Sequence, residues 1–393
     1  MDSIWCFNMR RKLIRVTTSD FSLKELLKGQ LRFLNQYYDV VGIAHDTGFL
    51  YDIEKSEGVP VINIEMKREI SIFSDLICLW KMYRIFSRMK PDIVHANTPK
   101  GSLLAMISAR IANVPHRIYT VTGLRYQGET GFKCYLLKIM ERITCRFSNK
   151  VIPEGEGVRK TLINDNITHK PLNIIHHGNI NGKDTSYYSP ITSEKTFGKR
   201  EKIRKSLGFN KDNFVFVFVG RVVKDKGMNE LANCMRKLSI KHPQIRLLIV
   251  GVIEDKLNPV LPENINYYKQ DKNVVFLGWK NDVRPYYYAA DALVFPSYRE
   301  GFPNVVLEAG AMELPSIVTD TNGCNDIISD GENGKIIPPK DEKALYSMME
   351  YFIESPLQIK KMAKNARKLI QAKFEQEDVW REIKNMYDNL PYS

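Results

Sequence analysis

The stretch from Asp291 to Asp320 constrains the fold more than any other part of the chain. It holds two continuous apolar runs, Ala292–Phe295 and Ser316–Thr319, each of the length expected for a strand that is buried on both faces. Between them, Gly301 and Pro303 break the chain before a helical register begins. The order strand, loop, helix, strand predicts a parallel pair in an α/β sheet. The loop then lies at the carboxyl end of the first strand, where such sheets bind ligands.

Two glutamates flank the predicted start of this helix. Glu300 precedes it, Glu308 lies inside it, and Asn304 is placed to cap it. At about 1.5 Å per residue, their Cα atoms lie about 12 Å apart. That is too far for the carboxyl pair of a retaining glycosidase, which needs about 5 Å. The spacing favours two contacts on one long ligand, with the helix start suited to its diphosphate. The alternative is a pair of solvated surface carboxylates.

A second motif follows the apolar run Phe214–Val219. Gly220 and Arg221 end this predicted strand, and Lys226 comes directly before a helix predicted from Met228. Two cations at a strand-to-helix turn suit a diphosphate, and we expect the Arg221 guanidinium to be free to contact it. Because the sequence contains no D-x-D motif, we expect Arg221, Lys226 and the helix start to neutralise a departing diphosphate without a metal ion. The alternative is that both cations only contact solvent.

The two motifs resemble those of a known enzyme family. The sequence R-E-G-F-P-N-V-V-L-E-A around Glu300 and Glu308, together with G-R-x4-K-G, is similar to the retaining GT-B glycosyltransferases of family 4, in their bacterial capsule and exopolysaccharide branch. The resemblance implies an α/β protein of two facing Rossmann-like domains with the active site in the cleft between them. It also implies that the anomeric configuration is retained and that no cofactor or metal is used.

The resemblance further implies which residues contact the donor, a UDP-linked sugar. Glu300 would meet the transferred sugar, Arg221 and Lys226 the diphosphate, and Glu308 the ribose. The remaining donor contacts would come from the turns that surround these residues: Gly220, Gly278, Trp279, Gly301, Phe302, Pro303, Asn304 and Val305.

At 393 residues the chain is longer than one core usually supports, so two domains are expected. We predict an acceptor-binding domain over residues 1–190, a nucleotide-sugar-binding domain over residues 191–370, and a C-terminal helix over 371–393 that packs back on the first domain. Within the first domain, the patterns predict alternating strands and helices, including a helix from Leu23 to about Gln36 and a last strand at Leu172–Ile175. Asn181, Gly182 and Asp184 resemble the linker signature of the family.

Three predicted strand ends in the first domain are candidates for the acceptor side of the site. His95, Asn97 and Lys100 follow one strand, Thr122 follows the next, and Glu154 follows the third. Many relatives carry a histidine where this chain has Thr122, which offers only a hydroxyl group. A structural role is the alternative for His95.

Positive charge is concentrated in the first half of the chain. Residues 1–190 hold 27 Lys and Arg against 18 Asp and Glu, and the whole chain has a net charge of +13. The sequence has no nucleic-acid-binding motif, so the anionic partner is expected to be a membrane surface or a phosphorylated substrate.

A basic amphipathic helix is predicted over Phe132–Phe147. Lys133, Lys138, Arg142 and Arg146 recur at helical spacing between apolar residues. They predict contact with anionic lipid, and the segment Leu79–Arg88 is a further candidate of the same kind. The alternative is an ordinary domain helix with a charged outer face. Together with the family resemblance, this pattern favours a lipid-linked saccharide as acceptor.

The remaining features limit the class of protein. Six cysteines are scattered without metal-ligand spacing, and no apolar run approaches 18 residues, so we expect a cytoplasmic protein, peripheral at the inner face of the cell membrane, with reduced thiols and no metal site. The alternatives are a nucleotide-sugar epimerase, a phosphorylase, a glycosyltransferase with a soluble acceptor, and a non-catalytic module that binds lipid or polymer. A phosphorylase would need a pyridoxal phosphate lysine site, which we do not identify in the sequence.

Overall fold

The chain divides into two compact units in the computed structural model, which describes residues 10–67, 71–190, 194–254 and 258–392. Unit 1 runs to Gly182 and resumes at Glu377, and unit 2 spans Lys183–Gln376. The divisions lie at 182/183 and 376/377, whereas the sequence predicted 190/191 and 370/371. The linker after Gly182 belongs to unit 2 because its backbone forms hydrogen bonds with residues 374–376. The Lys183 N–H donates to the Phe374 carbonyl at 2.8 Å, and the Gln376 N–H donates to the Lys183 carbonyl at 3.1 Å.

Each unit contains a six-stranded parallel sheet. The strands of unit 1 are β1 (Lys12–Ser19), β2 (Asp39–His45), β3 (Val61–Asn63), β4 (Ile93–Ala96), β5 (His116–Val121) and β6 (Lys150–Pro153). Those of unit 2 are β7 (Phe214–Val219), β8 (Ile245–Val250), β9 (Val274–Phe276), β10 (Ala292–Phe295), β11 (Ser316–Thr319) and β12 (Gly334–Ile337). The orders are β3-β2-β1-β4-β5-β6 and β12-β11-β10-β7-β8-β9. Counted from the first strand of each unit, both are the Rossmann order, which confirms the predicted α/β class.

Helices connect the strands. The first seven belong to unit 1: α1 (Asp20–Leu26), α2 (Gln30–Leu34), α3 (Leu50–Glu57), α4 (Ile72–Met89), α5 (Pro99–Ile111), α6 (Gly131–Phe147) and α7 (Glu156–Asn164). The next eight belong to unit 2: α8 (Glu194–Ser206), α9 (Met228–Lys241), α10 (Pro262–Gln270), α11 (Arg284–Ala289), α12 (Asn304–Ala311), α13 (Cys324–Ile327), α14 (Glu342–Glu354) and α15 (Pro356–Lys373). The last, α16 (Gln376–Asp388), returns the chain to unit 1. Single 3-10 turns lie at Arg125–Gly128 and Lys224–Lys226.

The apolar runs form the centre of each sheet. The predicted strands Ala292–Phe295 and Ser316–Thr319 are β10 and β11, and every residue in both is buried. Neighbouring β7 carries the alternating Phe and Val residues of its run into the same core. Burying one such apolar side chain stabilises the fold by about 1.5–3 kcal/mol, so these central strands hold the carboxyl edge of the sheet in a fixed position.

Two predicted elements of unit 1 are wrong. The predicted helix Leu23–Gln36 is split into α1 and α2, because Gly29 adopts a left-handed conformation with φ of 80° and packs against Trp380. A Cβ at this position would lie 2.7 Å from the indole ring. The run Leu172–Ile175 is not a strand, since only its first residue forms an isolated bridge, to Val151.

Both sheets reverse their strand order at one point. In unit 1 this point lies between β1 and β4, and in unit 2 between β7 and β10. The connections that leave the two strands run to opposite sides, which opens a crevice outside their carboxyl ends. Residues that directly follow these strands are therefore the first candidates for ligand contact.

Candidate functional site

The carboxyl ends of β7 and β10 carry the two motifs of unit 2. The loops that follow these strands touch through their backbones: the Tyr298 N–H donates to the Asp225 carbonyl at 2.8 Å. Gly227 has φ of 70°, and a Cβ there would lie 2.1 Å from the Pro296 carbonyl oxygen. Glycine at this position is what allows the two loops to approach each other.

Lys226 and Glu300 form an ion pair at this point. Their side chains are 18% and 12% exposed, and the Lys226 ammonium also lies over the Phe295 ring, 4.8 Å from its centroid. The structure therefore brings together two of the three predicted catalytic residues, one from each loop. A cation and a carboxylate held at the switch point can contact the diphosphate and the sugar of one donor.

Glu308 lies inside α12 and is almost fully buried. Its carboxylate accepts hydrogen bonds from the Lys183 ammonium at 2.8 Å and from the Tyr287 hydroxyl at 3.1 Å. Burial, together with the nearby Glu308 charge, raises the pKa of the Tyr287 phenol well above its ordinary value, so the phenol remains a donor. These two contacts fix the orientation of the carboxylate.

The predicted donor loop before α12 is packed closely. A Cβ on Gly323 would lie 2.4 Å from the Gly301 carbonyl oxygen, so the loop after β11 supports this turn. Phe302 is buried against Phe374, with ring centroids 5.6 Å apart. Asn304 does not cap the helix as predicted, because Pro303 occupies the N-cap position and Asn304 is already helical.

Val305 is partly buried against the core of unit 2, in the first turn of α12. It therefore continues the predicted donor loop into the helix.

Arg221 differs from its prediction. Its guanidinium is not free, because it donates to the Glu254 carboxylate at 2.6 Å, although its side chain is 52% exposed. To pair with the Arg221 guanidinium, a diphosphate would have to displace the Glu254 carboxylate or share the guanidinium with it.

Two glycines among the predicted donor contacts, Gly220 and Gly278, lie after β7 and β9, the strands on either side of β8. The Gly220 N–H donates to the Val250 carbonyl at 3.0 Å, and Gly278 accepts from the Gly251 N–H at 2.9 Å. Trp279, next to Gly278, is 57% exposed. An exposed aromatic ring beside this edge is available for stacking on a flat ligand.

In unit 1, a buried arginine lies beside the corresponding switch point. The Arg15 guanidinium donates to Gln30 at 2.6 Å, to Asn97 at 2.7 Å and to the Tyr387 hydroxyl at 3.2 Å. Burial lowers the pKa of Arg15 from its ordinary value. The C-terminal helix α16 thus contributes a polar side chain to the polar edge of the first sheet.

His95 belongs to the same network. Its Nδ1 lies 2.5 Å from the Tyr387 hydroxyl and its Nε2 lies 2.7 Å from the Thr120 hydroxyl. Burial, and then the charges of Arg15 and Lys150, lower the pKa of His95 well below its ordinary value. The ring is therefore neutral at neutral pH, with both nitrogens engaged.

The other predicted acceptor residues are also held by neighbours within unit 1. The Thr122 hydroxyl donates to the Asn97 carbonyl at 2.8 Å, and buried Lys100 pairs with Asp75 at 2.7 Å. Glu154 lines a small cavity with Asn97, and burial raises the pKa of its carboxyl well above the ordinary value. Contact of these residues with an acceptor stays a prediction.

Several residues of these networks were not identified from the sequence. Arg15 interrupts the apolar run of β1, and a charge inside a buried strand is a signal that could have marked it. Lys183 is the variable residue of the linker signature, and its position in that signature gave no sign of a contact with Glu308. Tyr387 looks like any apolar position of an amphipathic helix.

The predicted basic surface of α6 is largely engaged in contacts within unit 1. Lys133 pairs with Glu129, and Lys138 pairs with Asp165, both at 2.7 Å. Arg142 donates to the main-chain carbonyl of Asp165 at 3.2 Å, at the end of α7. Arg146 is exposed. The helix forms as predicted, but these contacts favour the alternative of an ordinary domain helix.

In the described part of the chain, no helix is both long enough and apolar enough to cross a bilayer.

Comparisons with known proteins identify the family. The model for "Glycosyl transferases group 1" matches residues 199–369, and the "Glycosyl transferase 4-like" model matches residues 20–154. The chain is 34% identical to the capsular polysaccharide biosynthesis glycosyltransferase CapM of Staphylococcus aureus, over 97% of both chains. It is 27% identical to the UDP-Gal:alpha-D-GlcNAc-diphosphoundecaprenol alpha-1,3-galactosyltransferase of Escherichia coli, over 86% of this chain and 85% of that one.

A solved structure shows the same fold. Anabaena Alr3699/HepE, in complex with UDP-glucose, superposes with a TM-score of 0.80 at 20% identity, over 96% of this chain and all of that one. Together with the two Rossmann-like sheets, these matches confirm the resemblance inferred from the sequence motifs. The chain belongs to the group 1 glycosyltransferases and has the GT-B fold.

Proposed function

We propose that this chain transfers a sugar from a UDP-linked donor to a saccharide carried on a lipid diphosphate, with retention of configuration, in the synthesis of a capsule or similar bacterial polysaccharide. The observation that carries the donor assignment is the Lys226–Glu300 pair at the switch point of unit 2, next to the start of α12. The acceptor class is supported by the Escherichia coli relative, whose name specifies a diphosphoundecaprenol-linked sugar. The capsule assignment is supported by the relative from Staphylococcus aureus.

Each side chain has a distinct task in this proposal. The bond between the sugar C1 and the diphosphate oxygen breaks while a bond from the acceptor oxygen to C1 forms on the same face. The leaving phosphate takes the acceptor proton, so no protein base is required. Lys226 and Arg221 neutralise the charge that develops on the diphosphate, and Glu300 orients the sugar. Glu308 accepts hydrogen bonds from the ribose hydroxyls.

The direct test is a transfer assay. Membrane extracts that contain polyprenyl diphosphate saccharides, incubated with the purified chain and labelled UDP-sugars, are expected to give a labelled lipid with release of UDP. An epimerase would convert the UDP-sugar without releasing UDP, and a glycosyltransferase with a soluble acceptor would leave the lipid fraction unlabelled.

Donor binding is expected to depend on Glu308. The substitution Glu308→Gln keeps the shape of the side chain but removes its negative charge and replaces one of its two acceptor oxygens with an NH2 donor. Losing a hydrogen bond to a charged group costs about 1.5–3 kcal/mol, so the Kd for UDP measured by calorimetry is expected to rise about 10- to 100-fold. The control is Glu263→Gln, an exposed carboxylate elsewhere in unit 2. An unchanged Kd in the Glu308 variant would remove this residue from the donor site.

Sugar transfer is expected to persist in EDTA. The reason is that Lys226 and Arg221 supply the positive charge that a metal ion provides in other transferases. Among the described residues, one group, His242, Glu350 and Glu354, is arranged to hold a metal, but Lys241 pairs with both carboxylates, at 2.8 and 3.8 Å. The measurement is the initial rate after chelation, with and without added Mg²⁺ or Mn²⁺. Loss of activity that either ion restores would contradict the metal-free mechanism.

A further inference from the structure

Helix α4 presents large apolar side chains to solvent. Five of them lie in its first three turns and are more than half exposed: Ile72 (72%), Phe73 (84%), Leu76 (57%), Ile77 (55%) and Trp80 (57%). The opposite side of the helix, with Cys78, Met82 and Phe86, is buried in the core of unit 1. Contiguous apolar patches of this kind mark interaction surfaces in soluble domains.

The second half of the same helix carries positive charge. Lys81, Arg84 and Arg88 are exposed, and the Arg84 guanidinium lies over the Trp80 ring, 4.9 Å from its centroid. Positions 73, 77, 80, 84 and 88 are spaced by three or four residues, so they share one face of the helix. The one acidic residue of α4, Asp75, is neutralised by Lys100 at 2.7 Å. The face therefore combines an apolar half with a cationic half.

The apolar half lies at the edge of the sheet where ligands bind. Helices that connect parallel strands run antiparallel to them, so the first turn of α4 lies at the carboxyl edge of the first sheet. The Lys100–Asp75 pair confirms this position, because it ties the first turn of α4 to the first turn of α5, directly after β4. Phe132, 79% exposed at the start of α6, belongs to the same edge.

This combination of charge and apolar surface selects one kind of partner. An anionic bilayer attracts cations and accepts apolar side chains below its headgroups, so it satisfies both halves of the face at once. A protein partner would have to place an acid opposite each of Lys81, Arg84 and Arg88, whereas the phosphates of an anionic bilayer can meet all three exposed cations at once. The cations of α6, by contrast, are largely paired within unit 1.

We infer that α4 is a lipid-docking helix, whose residues 72–80 enter the headgroup region of an anionic bilayer while Lys81, Arg84 and Arg88 bind its phosphates. The inference deepens the proposed function, since a peripheral enzyme that docks at this edge presents unit 1 to a lipid-linked acceptor. It can nevertheless be tested separately, because vesicle binding requires neither donor nor acceptor.

The test is co-sedimentation of the full chain with vesicles of phosphatidylglycerol and phosphatidylcholine, compared with vesicles of phosphatidylcholine alone. Binding is expected only to the anionic vesicles and is expected to weaken between 50 and 500 mM salt, as screening shortens the range of the charges. The triple variant Phe73→Ser, Ile77→Ser, Trp80→Ser is expected to lose at least tenfold in the partition coefficient. Because all three side chains are exposed, the fold is expected to survive, which circular dichroism checks.

Two matched variants separate α4 from other surfaces. The substitutions Ile240→Ser and Leu357→Ser remove apolar side chains that are 83% and 79% exposed in unit 2, and binding is expected to be unchanged. The pair Lys133→Gln and Arg146→Gln removes two cations of α6 and is likewise expected to leave binding within twofold.

Three results of the vesicle assay would overturn the inference: equal binding to both vesicle types, no binding to either, or full binding by the triple α4 variant. Self-association in sedimentation velocity that the triple variant abolishes would also overturn it, because a second copy would then cover the face. If the triple variant fails to bind vesicles but still transfers sugar to acceptor in detergent, both the docking helix and the proposed function stand. If the wild-type chain binds vesicles but transfers no sugar in either setting, only the proposed function fails.

Discussion

Turnover is expected to fall at least about 100-fold when Lys226 is replaced by methionine. The substitution keeps an unbranched side chain of similar size but removes the ammonium, which pairs with Glu300 and lies over the Phe295 ring. Removing one donor that stabilises a developing negative charge in a closed site costs about 10²–10³ in kcat. The measurement is kcat with saturating UDP-sugar, since a residue that acts only in donor binding would change KM instead.

The neighbouring lysine provides the control. Lys224 lies in the same 3-10 turn but is exposed, and Lys224→Met is expected to retain turnover within about twofold. Because Lys226 and Glu300 are in direct contact, each single loss also disturbs the other residue, and the double variant Lys226→Met, Glu300→Gln is expected to lose less than the product of the two single losses. Two losses that multiply would show that the residues act independently, and normal turnover in Lys226→Met would exclude a catalytic role.

The central strands of unit 2 could be predicted from the sequence because their burial is complete. Ala292–Phe295 is a continuous apolar run, Ser316–Thr319 centres on Ile317 and Val318, and both strands have the bounds that the sequence predicts. Gly29 shows the limit of local patterns. Its left-handed φ and the Trp380 ring that packs against it end a helix that periodicity alone extends to residue 36. The packing partner lies in α16, which no local window of sequence includes.

The residues of the candidate site also divide into those that the sequence identified and those whose contacts it could not show. Lys226 and Glu300 were identified because each lies in a recognisable motif, and both motifs follow strands that turn out to be neighbours. That Arg221 pairs with Glu254 could not be read from its own motif, because Glu254 follows a different strand. The Arg15–Tyr387 bond joins residues at opposite ends of the chain and depends on the return of α16 to unit 1. Contacts made by tertiary packing leave no periodicity in the sequence.

Gly227 shows how backbone packing holds the two motifs together. It lies directly after Lys226, and the Pro296 carbonyl occupies the space where a Cβ would be. Pro296 begins the loop that leads to Glu300. An alanine at 227 must therefore push the two loops apart, in addition to adopting a φ that costs an L-residue about 1–2 kcal/mol. Backbone atoms cannot move aside as flexible side chains do, so the clash affects the position of the ion pair itself.

Gly227→Ala is accordingly expected to destabilise unit 2 by more than about 3 kcal/mol, which for a domain of this size lowers its Tm by roughly 6–12 °C. The matched control is Gly208→Ala, since Gly208 has a similar φ of 77° but no heavy atom within 4 Å of the added Cβ. That variant is expected to be destabilised only by the conformational cost of a positive φ, about 1–2 kcal/mol. Thermal unfolding of both variants measures the difference in stability. If Gly227→Ala does not accumulate as soluble protein in the expression host, the soluble yields of the two variants are compared instead. Equal Tm values for the two variants would contradict a close backbone contact between the loops.

If Gly227→Ala folds, its turnover is expected to fall as well, because the separation of the loops moves Lys226 away from Glu300.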